Sequence, residues 1–283
     1  MSDGKVIVIT DSSAYIPVDA SEGLNIEVIP LWLIWGDECF RDGVDIFPSK
    51  FYKRLEKSKT SPSTSQPSSK EFELLFQELA MRTDAIVNVL VSSKISGTIA
   101  SAQAAIPMIP EARIGIVDSL SSSMGLGFAV LAAARAAAAG NSFEDVVKAA
   151  EVMCEKVHLL FVVDTLEYLH RGGRISGGKR LLGTVLNIKP ILHFEEGEIR
   201  PLSQARTKKK ALDLMLDIAS ERLEGKNMAE AAIVEINTPE EAEEVELQVR
   251  SRFGTSRVYR AEVSPVVGTH VGPGAVGLAF YAE

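Results

Sequence analysis

Lys5-Val6-Ile7-Val8-Ile9-Thr10-Asp11-Ser12-Ser13 decides the fold class of this chain. Four apolar residues stand in succession rather than in alternation, and all four are β-branched. That is the pattern of a strand covered on both faces, as in a parallel sheet flanked by helices. The run ends on Asp11, and in open α/β sheets ligands gather outside the carboxyl ends of the strands. Similar runs occur at 85–91, 114–117, 159–163 and 231–236. Ser92-Ser93, Asp118-Ser119 and Asp164-Thr165 follow the first three of them, so polar groups are expected at several strand ends.

Helical periodicity fills the gaps between these runs. Helices are expected over 69–81, 125–139 and 142–157, the first capped by Ser68 or Ser69 with Glu71 in its first turn. Two more are expected over 208–222 and 239–253. Residues 190–194 and 198–202 read as a hairpin turned by Glu195-Glu196-Gly197. Alternating strands and helices imply an α/β protein, and 283 residues suffice for two lobes. The expected division is an N-terminal parallel-sheet domain over 1–157 and a C-terminal α/β domain over 158–283, with a binding site between them.

Composition narrows the partners. A net charge of −8 disfavours nucleic acid, whose phosphates require a basic face. No apolar run reaches the ~18 residues of a membrane span, and the N-terminus lacks a signal-peptide pattern. A cytoplasmic protein is expected, with Cys39 and Cys154 as buried free thiols. Ser58 to Ser69 is rich in Ser, Thr and Pro and reads as a linker that leads into a helix. The basic group Arg206, Lys208, Lys209 and Lys210 is the best candidate for a docking patch on an acidic chain.

Four hydroxyl- or glycine-rich segments interrupt the hydrophobic pattern: Thr64-Ser65-Gln66-Pro67-Ser68, Ser92 to Thr98, His170 to Gly178, and Gly268-Thr269-His270-Val271-Gly272-Pro273-Gly274. The last reads as a bare loop holding one of only four histidines. Ser96-Gly97-Thr98 follows a strand and precedes a helix, where an anion is readily held. No G-x-S-x-G elbow surrounds Ser96, no P-loop pattern occurs, and no Cys, His or carboxylate cluster has metal-ligand spacing. Hydroxyls with one histidine and no activated nucleophile suit holding a carboxylate. A hydrolase or phosphotransferase using Ser96 and His270, or a lipid-responsive regulatory protein, are the alternatives.

Taken in order, Ile9-Thr10-Asp11-Ser12, Thr64 to Ser68, Ser96-Gly97-Thr98, Val117-Asp118-Ser119 with Met124 to Gly127, Gly172 to Ser176, Asn187 to Leu192, and Gly268-Thr269-His270 with Gly272-Pro273-Gly274 resemble the DegV family across essentially the whole chain. The resemblance implies a two-lobed α/β protein that binds one long-chain fatty acid and has no catalytic machinery or cofactor of its own. Some members are the fatty-acid-binding subunit of a bacterial fatty acid kinase, presenting the acyl carboxylate to a separate ATP-using subunit. It further implies that Thr64, Ser96 and His270 hold the carboxylate, with Gly97 and Thr98 lining the same loop. Arg174 and Arg206 match basic positions on the kinase-docking side. The chain departs from the family at His170, where Lys is common, and in the glycine-rich Ser176-Gly177-Gly178-Lys179.

Overall fold

A computed structural model describes residues 5–175 and 188–283. Ser176 to Lys179 and Asn187, which belong to the sequence motifs above, lie outside the described residues. The elements in chain order are β1 (Ile7–Asp11), α1 (Val18–Ser21), β2 (Ile26–Ile29), β3 (Trp32–Trp35), β4 (Glu38–Arg41), α2 (Pro48–Lys57), β5 (Ser63–Ser65), α3 (Ser69–Ala80), β6 (Ala85–Leu90), α4 (Thr98–Ala105), β7 (Arg113–Asp118), α5 (Ser123–Ala138) and α6 (Phe143–Lys156). They continue with β8 (His158–Val162), α7 (Glu167–Gly172), β9 (Lys189–Glu195), β10 (Glu198–Ala205), α8 (Lys208–Arg222), β11 (Met228–Glu235), α9 (Pro239–Phe253), β12 (Val258–Glu262), α10 (Pro265–Val271) and β13 (Val276–Ala282).

Three sheets organise the described residues. β2-β1-β6-β7 is parallel throughout, as expected from the Val6 to Ile9 run. Its order reverses beside β1, and there the buried Asp11 carboxylate accepts from Val91 N at 2.7 Å and Ser13 N at 3.0 Å, tying together the ends of β1 and β6. The second sheet, β10-β9-β8-β13-β11-β12, is mixed. The third, β4-β3-β5, is a small antiparallel sheet from the N-terminal half.

The apolar runs at 159–163 and 231–236 correct one expectation. β8 is antiparallel to both β9 and β13, and β11 is antiparallel to β13 and parallel only to β12. Consecutive apolar residues report cover on two faces, whatever the strand direction. Leu159, Phe161, Val163, Ala232, Val234, Ile236 and Ala279 join a core facing the N-terminal half, together with Leu31, Leu33 and Phe128. Leu160, Val162, Ile191, Ile233 and Leu278 point the other way, against α8 and α9.

Local signals behave as the sequence implies. Ser68 forms a capping box: its Oγ accepts from Glu71 N, and Glu71 Oε2 accepts from Ser68 N. α6 is capped by Ser142 and α8 by Thr207. The β9–β10 turn places Glu196 at φ 50° and Gly197 at φ 83°, as a two-residue turn of the I′ kind demands. The Ser58 to Ser69 segment is more than a linker, since Ser63 to Ser65 forms β5 against β3. Cys39 is exposed, against expectation, because β4 lies at the edge of the small sheet; Cys154 is half-buried, and both are free. Among the described residues no helix is long and apolar enough to cross a membrane.

Candidate functional site

The sheet face built from alternate residues of β8, β11 and β13 forms the floor of a cavity roofed by the N-terminal half. About 920 Å³ of space between atoms lies here, part of it open to solvent. Leu159 and Phe161 from β8, Val234 and Ile236 at the end of β11, and Gly277 from β13 make the floor. The lining is predominantly apolar, with Ser13, Ser122 and Ser123 on one wall and a second group of polar side chains around His270, which is the composition of a small-molecule site.

The second group comes from four separate parts of the chain. β5 carries Thr64, placed by its pairing with the fully buried Leu33. α10 carries His270. Thr64 Oγ1 and His270 Nε2 lie 2.7 Å apart. The loop after β6 brings Ser96, and the segment after α7 brings Arg174, which among the described residues is the only charged one lining the cavity. Arg174 donates through Nε to Ile95 O at 3.3 Å and through its terminal nitrogen to Gly172 O. It thereby binds the end of α7 to the Ser96 loop.

The histidine's setting corrects the sequence reading. Residues 265–271 are a helix, and only Gly272 (φ 80°) and Gly274 (φ 84°) need the freedom of glycine. Ser264 caps it, its Oγ accepting from Val267 N, and Pro265 sits at the first helical position. Gly268 is tolerated because it packs on Tyr52, where an added Cβ would come within 2.2 Å of the hydroxyl. Tyr52 in turn donates to Val263 O at 2.9 Å, anchoring the start of α10 on α2.

Burial, with a smaller contribution from the Arg174 charge, pushes the His270 imidazole down to about 4. The ring is therefore neutral near pH 7. Its Nδ1 is buried without a hydrogen-bond partner among the described residues. Gly172 explains how tightly this side is packed: a Cβ there would lie 2.3 Å from Nδ1. Among the described residues no carboxylate orients the ring, and Ser96 Oγ is paired with Thr98 Oγ1 at 2.8 Å rather than with His270. A Ser-His-Asp relay is not assembled from the described residues.

Of the residues expected at the site, Thr64, Ser96, His270 and Arg174 line one cavity. Gly97 and Thr98 do not line it. Thr98 is fully buried and orients Ser96, and Gly97 leaves room for the Gln66 side chain, which an added Cβ would meet at 3.0 Å. Arg206 is exposed just beyond β10 and away from the cavity. The basic group beside it is partly neutralised, since Lys208 reaches Glu241 at 2.9 Å. Phe161 lines the cavity, whereas Ile191 faces α8 on the opposite side of the sheet. Gly172 packs against His270, and the cavity is further lined by three serines that the sequence analysis did not single out, Ser13, Ser122 and Ser123. The serine run 121–123 after a strand end was a signal available for two of them. Among the described residues no group of three or more metal-ligating side chains is found.

Comparison with known proteins gives one answer over the full length. The family model for an uncharacterised protein family, the DegV family, matches residues 5–283. Protein DegV of Bacillus subtilis is 35% identical over 276 residues, covering 97% of this chain and 98% of that protein. The structure of a DegV family protein from Thermus thermophilus, described for its fatty acid binding, superposes with a TM-score of 0.92 at 31% identity, covering 99% of this chain and 100% of the other. That of DegV from Bacillus subtilis, described as a fatty acid binding protein, gives 0.88 at 35% identity over 99% and 100%. With the family model matching residues 5–283 and relatives matched over nearly their whole length, this chain belongs to the DegV family.

Proposed function

We propose that this protein binds one long-chain fatty acid, with the hydrocarbon over the β8–β13–β11 face and the carboxylate at Thr64, Ser96 and His270. The observation that carries the reading is a single cavity with an apolar floor and, at one end, Thr64, Ser96, Arg174 and a neutral His270. Similarity to proteins described as fatty-acid-binding supports the same ligand. Burying each methylene contributes about 0.8 kcal/mol, so the tail dominates affinity. The carboxylate needs hydrogen-bond donors, because desolvating it without partners costs several kcal/mol. Two hydroxyls and a neutral imidazole supply them without clamping the group as a bidentate arginine would. A carboxylate so held remains available for transfer chemistry.

On this reading the protein is a non-catalytic, cytoplasmic carrier divided at 157/158. It presents the acyl carboxylate to a separate ATP-using kinase subunit that forms the acyl phosphate. Arg174 at the cavity and the exposed Arg206 beyond β10 serve the docking side. The missing third member of a relay on His270 weighs against a hydrolase.

Solvent extraction of the purified protein followed by mass spectrometry of the lipid tests the core of the reading. Near one fatty acid per chain is expected, and neither bound lipid nor uptake of added oleate or palmitate would overturn it. His270→Ala and Thr64→Ala should each slow acyl phosphate formation with a partner kinase. Unchanged turnover in both refutes the headgroup assignment.

A further inference from the structure

The end of the cavity away from His270 carries polar atoms that a plain hydrocarbon leaves unsatisfied. α10 leads through Gly274 into β13, so Ala275 marks the His270 end of the floor. Ala279, paired with Leu159, lies four residues further, about 13 Å along the strand. The first turn of α5 stands over that far end, where a Cβ on Gly125 would come within 3.3 Å of Leu159 Cβ. Burial deepens in the same direction. Gln66 is exposed, Thr64, Ser96, Arg174 and His270 are half-buried, and Ser13, Ser122 and Ser123 are buried.

Ser123 is 6% exposed, lines the cavity, and its Oγ has no hydrogen-bond partner among the described residues. Ser13, 2% exposed, lies beside the Asp11 carboxylate and its side chain hydrogen-bonds that group, which leaves the lone pairs of its Oγ free to accept. Ser123 N donates to Ser13 O at 3.1 Å, which joins the two residues into one unit. Ser123 holds φ at 48°, a conformation that strains a residue with a β-carbon and is kept here by its surroundings. Behind it run the 16 residues of α5, whose N-cap Ser122 makes no side-chain cap bond, so the positive end of that helix faces the same place. Buried hydroxyls are normally satisfied, and the unpartnered Ser123 Oγ beside the acceptor Ser13 Oγ calls for a group that can bond both.

We infer that Ser13 and Ser123 form a second polar site for a hydroxyl carried on the acyl chain, so that the cavity accepts hydroxylated long-chain fatty acids. This rests on the fatty-acid reading above and adds a specificity element to it. A chain hydroxyl both donates and accepts, and so satisfies two serine oxygens at once.

The test is a competition assay with lipid-stripped protein, using stearic acid and a positional series of monohydroxystearic acids. One hydroxyl position should bind about 5- to 10-fold more tightly than stearic acid, the worth of a net intramolecular-strength hydrogen bond. Ser123→Gly removes the hydroxyl while suiting the positive φ, and Ser13→Ala removes the other. In each, the ratio of hydroxylated to unsubstituted affinity should fall toward one. No favoured position, or an advantage retained in both variants, overturns the inference and leaves fatty-acid binding standing; the first outcome means that water satisfies the serines. Failure of every acid, stearic included, overturns both.

Discussion

Thr64 Oγ1 and His270 Nε2 meet at 2.7 Å although 206 residues separate them in the chain. One rides on a three-residue edge strand, the other on the last turn of a seven-residue helix, and neither element is stable by itself. The pairing therefore depends on what braces it: Leu33 behind Thr64, Tyr52 beneath Gly268, and Gly172 against the imidazole.

The histidine gives a pH dependence of defined sign. Burial, helped by Arg174, lowers its folded pKa from 6.5 to about 4, so the folded state takes up this proton less readily than the unfolded chain. Stability from the neutral ring is complete above pH ~6.5 and is lost as pH falls toward ~4, by up to about 3 kcal/mol. His158 and His193 are lowered too, by burial first and the Arg222 charge second, and act in the same sense. Denaturant titrations of wild type and His270→Gln across this range isolate the His270 share. The wild type should lose more stability than the variant, and a gap independent of pH would contradict the assignment.

Gly172→Ala reverses the usual expectation for a helical glycine. Alanine normally stabilises a helix by roughly 0.5–1 kcal/mol. Here its Cβ would lie 2.3 Å from His270 Nδ1, with the ring already packed. A net destabilisation of about 1–3 kcal/mol is expected, with displacement of the ring from Thr64. Thermal unfolding with the histidine chemical shifts checks both, and a stabilised variant with unchanged shifts would show the contact to be slack.

Gly277 holds the cavity floor open. A Cβ there meets Val234 Cγ2 at 2.7 Å, Leu160 O at 3.0 Å and Phe161 Cβ at 3.0 Å. Gly277→Val should cost about 1–3 kcal/mol and shift bound fatty acids toward shorter chains. Mass spectrometry of co-purifying lipid reads the second effect. An unaltered chain-length profile in a folded variant would place the tail elsewhere.

Glu230 joins the halves of the molecule. It accepts from Arg135 of α5 at 2.8 and 3.0 Å and from Arg257 at 3.3 Å, with only 2% of its side chain exposed. Burial by itself would raise its pKa, but hydrogen bonds and the charge of Arg135 outweigh it and leave the pKa lowered. Its stabilisation is thus present above the ordinary carboxyl range and is lost as pH falls through the lowered value. Glu230→Gln strands Arg135 and should destabilise by about 3 kcal/mol. A chemical denaturation midpoint within error of wild type would refute the clamp.

Much of the site's inventory was legible, though not its assembly. Ser96 and His270 stood out in hydroxyl- and glycine-rich segments, Thr64 and Arg174 were implied by the family resemblance, and all four line one cavity. Gly97 and Thr98 sit behind it, because a helix start turns Thr98 inward to hold Ser96. Ser123 escaped notice because a serine before a helix reads as a cap. Its positive φ and orphaned hydroxyl exist only in the folded chain. The glycines around His270 suggested a loop, yet the Ser264 cap and Pro265 were strong enough to start a helix through Gly268.

The sequence by itself determined the α/β class, the buried β1 run, the capping box at Ser68 and the Glu196-Gly197 turn. Each of these depends on forces acting over a few residues: burial of neighbouring side chains, local hydrogen bonds, and permitted φ. Tertiary structure alone decided that β8 and β11 face an antiparallel β13, that Phe161 looks into the cavity while Ile191 looks away, and that Thr64 reaches His270. Those outcomes depend on which distant strand a segment meets and in which register. An apolar run announces that it will be covered, and leaves its partner to the packing of the whole chain.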